Sequence, residues 1–162
     1  MSNTPIHHLT ADELAALSAF GDTPAVYVSA RFGEIGRANV LAAQLRAAGC
    51  YVTSRWLDEV PSTDFDLLSD AQRAECARRD AEDIYRATIF VSLIPRDGQR
   101  GRHGARHVEF GLALAYETPI IVVGQPRENV FHYYAAAGLH FLDDDASVSM
   151  FVAELWRLRC SR

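Results

Sequence analysis

The segment TIFVSLI, residues 88–94, is the stretch of sequence that decides the fold class. It is a short, almost continuously apolar run that Pro95 ends, and such a run is typical of a strand buried on both faces. The segment AVYVS, residues 25–29, has the same character and follows a turn signal at residues 21–24. Two strands of this kind predict a parallel sheet that helices cover on both sides.

Helical patterns alternate with these strands along the chain. Val40, Leu41 and Leu45 recur at helical spacing within residues 37–48, and Gly49 is placed to end that helix. The other predicted elements are a strand at 51–56, a helix at 69–86, a helix at 106–116, a strand at 119–123, a strand at 139–142 and a helix at 147–158. This alternation predicts an α/β fold with a doubly wound, five-stranded parallel sheet.

The chain has the size and composition of one globular domain, with 162 residues of which 49% are hydrophobic and 23% are charged. We therefore expect a single domain over residues 1–162, with residues 1–22 as an N-terminal helical extension. Thr10 and Glu13 have the spacing of a capping box at the start of that helix. No segment reaches the roughly 18 apolar residues that a membrane span requires, and no signal peptide is indicated.

The charge balance and the cysteines exclude several classes of function. With 21 acidic and 16 basic side chains the formal net charge is −5, so the bulk charge attracts neither nucleic acid nor an anionic membrane. All 16 of these basic side chains are arginine, which excludes Schiff-base chemistry on a lysine. Cys50, Cys76 and Cys160 are widely spaced and indicate neither disulfides nor a zinc site, so we expect a cytoplasmic protein.

Glu109 follows the loop after the predicted central strand, near the start of the next helix. In open α/β sheets ligands bind in the crevice beyond the carboxyl ends of the strands, which is where such a residue lies. A carboxylate in the first turn of a helix also complements the helix dipole, and position alone favours this structural interpretation. Both interpretations stay open at this point.

Asp80 and Asp83 lie in the charged segment at residues 78–86, on the helix that precedes the central strand. Alternating charge of this kind is typical of a solvated helix face with i,i+4 pairs. Two carboxylates brought together by the fold also suit glycosidic chemistry, in which one acts as nucleophile and the other has a different pKa.

The loop before Glu109 is the densest basic segment of the chain. It contains Arg96, Arg100, Arg102 and Arg106, interleaved with His103, His107 and three glycines. Such a loop either clamps a phosphate or is solvated, and the sequence leaves both open. His103 and His107 have a spacing that a metal accepts, but no supporting carboxylate is evident, so no metal and no cofactor are expected.

Several segments together resemble the nucleoside 2-deoxyribosyltransferase superfamily, which includes the 2'-deoxynucleoside 5'-phosphate N-hydrolases. They are YVSARF at 27–32, Arg55 with Trp56, DAEDIYRAT at 80–88, VEFGLALA at 108–115, PIIVV at 119–123 and NVFH at 129–132. The likeness covers about residues 25–143 and rests on the order and spacing of the segments. It implies a flavodoxin-like or Rossmann-like sheet with strand order 2-1-3-4-5.

The resemblance also implies roles for individual residues. Glu109 matches the nucleophile that attacks the anomeric carbon, Tyr27 matches the hydroxyl that orients it, and Asp80 matches the acid near the sugar and base. Asn129 matches a residue that such enzymes lend to the neighbouring subunit, which implies a homo-oligomer, a dimer or larger. The residues expected to bind the substrate are Ser29, Arg31, Phe32, Trp56, His103, Gly104, Arg106 and Asn129.

The implied activity is cleavage of the N-glycosidic bond of a (deoxy)nucleoside or nucleoside 5'-monophosphate, with transfer of the sugar to another base or to water. Family members commonly have an acidic residue or a phosphate-binding Ser where this chain has His103, and a Gly where it has Ala105. The choice between nucleoside and monophosphate therefore stays open. Two other hypotheses remain: a non-catalytic nucleotide-binding module, and a TIR-like NAD glycohydrolase, against which the matching segments argue.

Overall fold

The structure is a computed structural model that describes residues 23–58, 68–96, 104–124 and 139–160. The predicted N-terminal extension at 1–22 lies outside the described residues, as do His103 and Asn129. The expectation of a single domain over the whole chain therefore stays a prediction.

The described strands form one all-parallel sheet in the order β2-β1-β3-β4-β5. The strands are β1 (Ala25–Ser29), β2 (Tyr51–Val52), β3 (Ile89–Leu93), β4 (Ile120–Val123) and β5 (Leu139–Leu142). Every residue of β1, β3 and β4 is buried, as the apolar runs of sequence predict for strands covered on both faces. The predicted fold class and strand order are confirmed.

Four described α-helices cover the sheet, two on each face. They are α1 (Ile35–Ala47), α2 (Asp70–Arg86), α3 (Ala105–Ala115) and α4 (Val148–Cys160). One face carries α1 and α4, whose Leu41, Leu45 and Val152 pack against alternate residues of β1, β3 and β4. The other face carries α2 and α3, which bury Ile84 and Phe110. The fold is therefore doubly wound. Across the described parts of the chain, each helix is too short or too polar to cross a membrane.

Aromatic side chains lie at the centre of the layer between the sheet and helices α2 and α3. The ring of Phe90 stacks on Tyr27 at a centroid distance of 5.5 Å and meets Phe110 edge-on at 6.3 Å. All three side chains are at most 2% exposed. Offset and edge-to-face pairs of this kind contribute about 0.5–1.5 kcal/mol beyond the burial of their area. These ring contacts set the distance between α3 and the strands β1 and β3.

The second strand is shorter than the predicted 51–56. Its sheet pairing ends at Val52, and residues Arg55–Asp58 form a 3-10 helix. Ser54 explains the change, because its hydroxyl accepts a hydrogen bond from the Val28 amide at 2.6 Å in place of a strand carbonyl. The chain thereby turns away from the sheet beside the carboxyl end of β1.

Candidate active site

The chain leaves the carboxyl ends of the neighbouring strands β1 and β3 toward opposite faces of the sheet. After β1 the chain enters α1 on one face of the sheet, whereas the segment after β3 leads to α3 on the opposite face. A crevice opens at such a switch point, and in open α/β sheets that crevice is where ligands bind. The residues that flank it are the candidates for an active site.

A short hydrogen bond joins Ser29 to Glu109 at this crevice. Ser29 is the last residue of β1 and is fully buried, and its hydroxyl donates a hydrogen bond to Glu109 Oε2 at 2.6 Å. Glu109 is the fifth residue of α3 and lies beyond the first turn, which holds no acidic residue. The structure therefore argues against the interpretation of Glu109 as a carboxylate that caps the helix dipole.

The surroundings of Glu109 act on its ionisation in both directions. Burial raises the pKa of the carboxyl above its ordinary value, because removal from water disfavours the charged form. The hydrogen bond from Ser29, the positive charge of Arg106 and the nearby Tyr27 hydroxyl all oppose that rise. The result is a carboxylate that is withdrawn from water and yet supported in its ionised form.

Tyr27 lies two residues before Ser29, so both side chains project from the same face of β1. Its hydroxyl is buried beside the Glu109 carboxylate, but no acceptor among the described residues reaches it with good hydrogen-bond geometry. The pKa of Tyr27 is well above its ordinary value, first because of burial and then because of the charges of Glu109, Asp80 and Asp83. The Tyr27 hydroxyl is therefore neutral, and the charges of three acids act on it.

Asp80 lies on α2, half-buried, on the helix that packs beside α3 over the same face of the sheet. Its charge and that of Glu109 both raise the pKa of Tyr27. The charges of two acids on two different helices therefore act on one hydroxyl. The roles that the resemblance gives to Asp80 and Glu109 stay predictions.

Asp83 has a structural partner. Its carboxylate accepts hydrogen bonds from the backbone amide of Arg55 at 2.9 Å and from Arg55 Nε at 2.7 Å. Burial still raises its pKa, although Arg55 acts in the opposite direction. Asp83 therefore fastens α2 to the turn after β2.

The other predicted binding residues that the structure describes follow the carboxyl ends of β1 and β3 in the chain or bond to the backbone there. Trp56 donates from its indole nitrogen to the Val28 carbonyl at 2.9 Å, and Arg106 donates to the Leu93 carbonyl at 3.0 Å. Arg31 precedes the 3-10 helix Phe32–Glu34. Phe32 is 57% exposed, which is unusual for a phenylalanine and leaves its ring available at the rim. Gly104 is exposed at the N-cap of α3.

Glu34, Arg37, Arg96 and Asp145 form a charged cluster behind the crevice. The sequence analysis does not predict it. Arg37 donates to both oxygens of Asp145, at 2.7 and 2.9 Å, and to the Ile94 carbonyl at 2.7 Å. Arg96 donates from its side chain to Asp145 and from its backbone amide to Glu34. Arg96, which the sequence offers as a phosphate ligand, is thus already paired with an acid. No local pattern signals the whole cluster, because its members come from three separate segments of the chain.

A cavity of about 260 Å³ lies at the opposite edge of the sheet, where residues before β3 and β4 line it together with Tyr85 and Tyr116. That edge holds the amino ends of the strands, where ligands of open α/β sheets do not usually bind. Within the described ranges, no three His, Cys, Asp or Glu side chains gather closely enough to hold a metal ion.

Solved structures with the same fold include a CMP N-glycosidase of Clostridium botulinum, BcmB. It is 17% identical, and the likeness covers 81% of this chain and 98% of that chain at a TM-score of 0.54. A 2-deoxyribosyltransferase from the psychrotolerant bacterium Bacillus psychrosaccharolyticus is 20% identical over 77% of this chain and 90% of that chain, with a TM-score of 0.55. The protein BlsM is 19% identical over 81% of this chain and 88% of that chain, with a TM-score of 0.57.

No protein-family model matches the sequence, and no curated protein matches it at a significant level. At identities of 17 to 20% the likeness to the three structures shows the fold. The architecture that the resemblance implies, a parallel sheet with strand order 2-1-3-4-5, is thus present in this chain, which shares its fold with these three structures.

Proposed function

We propose that the chain is an enzyme that cleaves the N-glycosidic bond of a (deoxy)nucleoside or nucleoside 5'-monophosphate, with Glu109 as the nucleophile. The observation that carries the proposal is the half-buried Glu109 carboxylate, which Ser29 holds at the carboxyl end of β1 beside the Tyr27 hydroxyl. A withdrawn carboxylate on rigid elements is the arrangement that nucleophilic catalysis at a sugar carbon requires.

The chemistry has two steps. In the first, an oxygen of Glu109 bonds to the anomeric carbon C1' while the C1'–N bond breaks, and the electron pair of that bond leaves with the base. The transition state resembles an oxocarbenium ion, so the negative carboxylate stabilises it electrostatically. In this proposal a proton passes through Asp80 to the departing base and neutralises it.

In the second step a water molecule or another base attacks C1', and the C1'–O bond to Glu109 breaks. The electron pair returns to the carboxylate, and the attacking group loses its proton to the now ionised Asp80. Attack by water gives hydrolysis and attack by a base gives transfer. Both outcomes use the same residues, so the proposal covers both.

The other residues have binding roles in this proposal. Phe32 and Trp56 offer aromatic surface to the base or the sugar, and Arg31 and Arg106 offer positive charge near the crevice. His103, Gly104 and Asn129 remain candidate substrate ligands by resemblance, and Asn129 carries the proposal of a homo-oligomer with shared sites. The fold shared with an N-glycosidase and a 2-deoxyribosyltransferase supports the reaction class.

The test is incubation with a panel of nucleosides and their 5'-monophosphates, with and without an acceptor base, followed by chromatography of the free base. NAD is included in the panel, so that release of nicotinamide identifies an NAD glycohydrolase. We expect Glu109→Gln to lower base release by about 10³-fold or more, because the amide is a poor nucleophile. Base release that persists in this folded variant would refute the proposal, and so would tight ligand binding without product over hours.

A further inference from the structure

The Ser29 hydroxyl bonds to Glu109 and is closed to solvent, whereas a substrate ligand would present its donor to the crevice. The Ser29 side chain has no exposed surface, and its hydroxyl donates to Glu109 Oε2 at 2.6 Å. A serine hydroxyl can donate one hydrogen bond, and the Glu109 carboxylate accepts it. The sequence resemblance lists this residue among the substrate ligands, whereas the geometry directs its donor at the nucleophile.

We propose that Ser29 is a positioning residue that holds Oε2 of Glu109 and leaves Oε1 as the oxygen that attacks the sugar. The inference rests on the proposed function and adds to it a division of labour between the two oxygens of one carboxylate. It differs from substrate binding, because Ser29 acts through Glu109.

Rigid backbone supports this role. The Cα atom of Ser29 pairs with that of Ser92 in the parallel register of β1 and β3, so the hydroxyl starts from a central strand rather than a loop. Glu109 starts from α3, whose next residue, Phe110, is buried against Phe90. A hydrogen bond between two such elements fixes the rotamer of the longer side chain.

The bond also bears on both chemical steps. A hydroxyl bonds more strongly to a carboxylate than to a neutral ester oxygen, since one partner is then charged. When the second step breaks the C1'–O bond, the electron pair returns to a carboxylate that Ser29 stabilises. Ser29 therefore favours the ionised form of Glu109 before the attack and makes it a better leaving group afterwards.

The test compares Ser29→Ala with Ser29→Thr, which keeps the hydroxyl, and with Ser54→Ala as a matched control. Ser54 is also buried, and it bonds to the backbone of Val28 instead of Glu109. For Ser29→Ala we expect kcat to fall by about 10- to 100-fold with KM within about threefold. The acidic limb of the pH profile of kcat should move to higher pH by about one unit, because the ionised form of Glu109 has lost a hydrogen-bond donor.

Ser29→Thr should restore the wild-type limb, and Ser54→Ala should lower the melting temperature without moving that limb. A rise in KM at unchanged kcat for Ser29→Ala would overturn the proposal in favour of substrate binding. An unmoved limb would overturn it as well.

A second readout separates this inference from the proposed function. Carbon NMR of protein labelled at the glutamate carboxyl carbons follows the titration of Glu109, assigned by its loss in Glu109→Gln. In Ser29→Ala the Glu109 pKa should rise, whether or not any substrate is turned over. If the wild type releases no base from any substrate, the proposed function fails, and this titration alone still decides whether Ser29 holds Glu109.

Discussion

Asp83 and Arg55 are joined twice, once through the Arg55 backbone amide at 2.9 Å and once through its Nε at 2.7 Å. The Asp83 side chain is 2% exposed and that of Arg55 is 39% exposed, so one partner is buried and the other reaches water. The pair ties α2, which also carries Asp80, to the turn after β2, which carries Trp56. It therefore sets the position of two candidate site residues from outside the crevice.

Removal of the Arg55 side chain should destabilise the fold. Arg55→Ala leaves the Asp83 carboxylate buried without its side-chain donor, and we expect the free energy of unfolding to fall by about 2–3 kcal/mol in urea titrations. Arg46→Ala is the control, because its ion pair with Asp58 is exposed, and the expected change is within about 1 kcal/mol. Equal effects of the two substitutions would contradict the structural role given to Asp83.

The charged cluster behind the crevice makes a pH-dependent contribution to stability. The hydrogen bonds from Arg37 hold the pKa of Asp145 below its ordinary value of 3.8. A carboxyl whose pKa is lowered by folding stabilises the folded state above its unfolded pKa, and that stability is lost as the pH falls through the folded pKa. We therefore expect Asp145→Asn to reduce the free energy of unfolding by about 1–2 kcal/mol at pH 7.

The difference between Asp145→Asn and the wild type should shrink as the pH falls below about 4, since the wild-type carboxyl then becomes neutral as well. Chemical denaturation at several pH values measures it. Asp143→Asn, at an exposed neighbour in the same loop, should leave stability nearly unchanged at every pH. A deficit for Asp145→Asn that stays constant down to pH 2 would show that charge is not its cause.

The sequence predicts the sheet well and the side-chain partners poorly, for a physical reason. The strands around Phe90 and Val122 are recognisable because a strand buried on both faces needs an uninterrupted apolar run. The pairs Arg55–Asp83 and Arg37–Asp145 join segments far apart in the chain, and no periodicity encodes them. Glu109 is found through its resemblance to a family motif, whereas its bond to Ser29 emerges only from the fold.

Gly124, directly after β4, adopts a conformation that other residues avoid. Its φ is +105°, and a Cβ added there would lie 3.2 Å from the Cβ of Ile94. We expect Gly124→Ala to lower the free energy of unfolding by about 1–3 kcal/mol, from backbone strain and from crowding. Denaturant titration measures the loss.

Gly111→Ala provides the opposite control for Gly124. Gly111 lies within α3, and a Cβ added there would meet nothing within 4 Å. Because alanine favours helix, this change should raise the free energy of unfolding by up to about 1 kcal/mol. If Gly124→Ala were neutral or stabilising like Gly111→Ala, the left-handed conformation at Gly124 would not be a requirement of the fold.

Tyr27→Phe should separate stability from activity. The Tyr27 hydroxyl is buried without a well-oriented acceptor among the described residues, and burial of such a group costs about 1–3 kcal/mol. Phenylalanine keeps the ring that stacks on Phe90, so we expect the free energy of unfolding to stay constant or to rise by about 1 kcal/mol. Base release should nevertheless fall, because the hydroxyl beside Glu109 is lost.

Tyr85→Phe, at a partly exposed site, should change neither quantity. If Tyr27→Phe destabilised the protein by more than about 1 kcal/mol, its hydroxyl would have to make a stabilising bond in solution, and the cost assigned to its burial would be wrong.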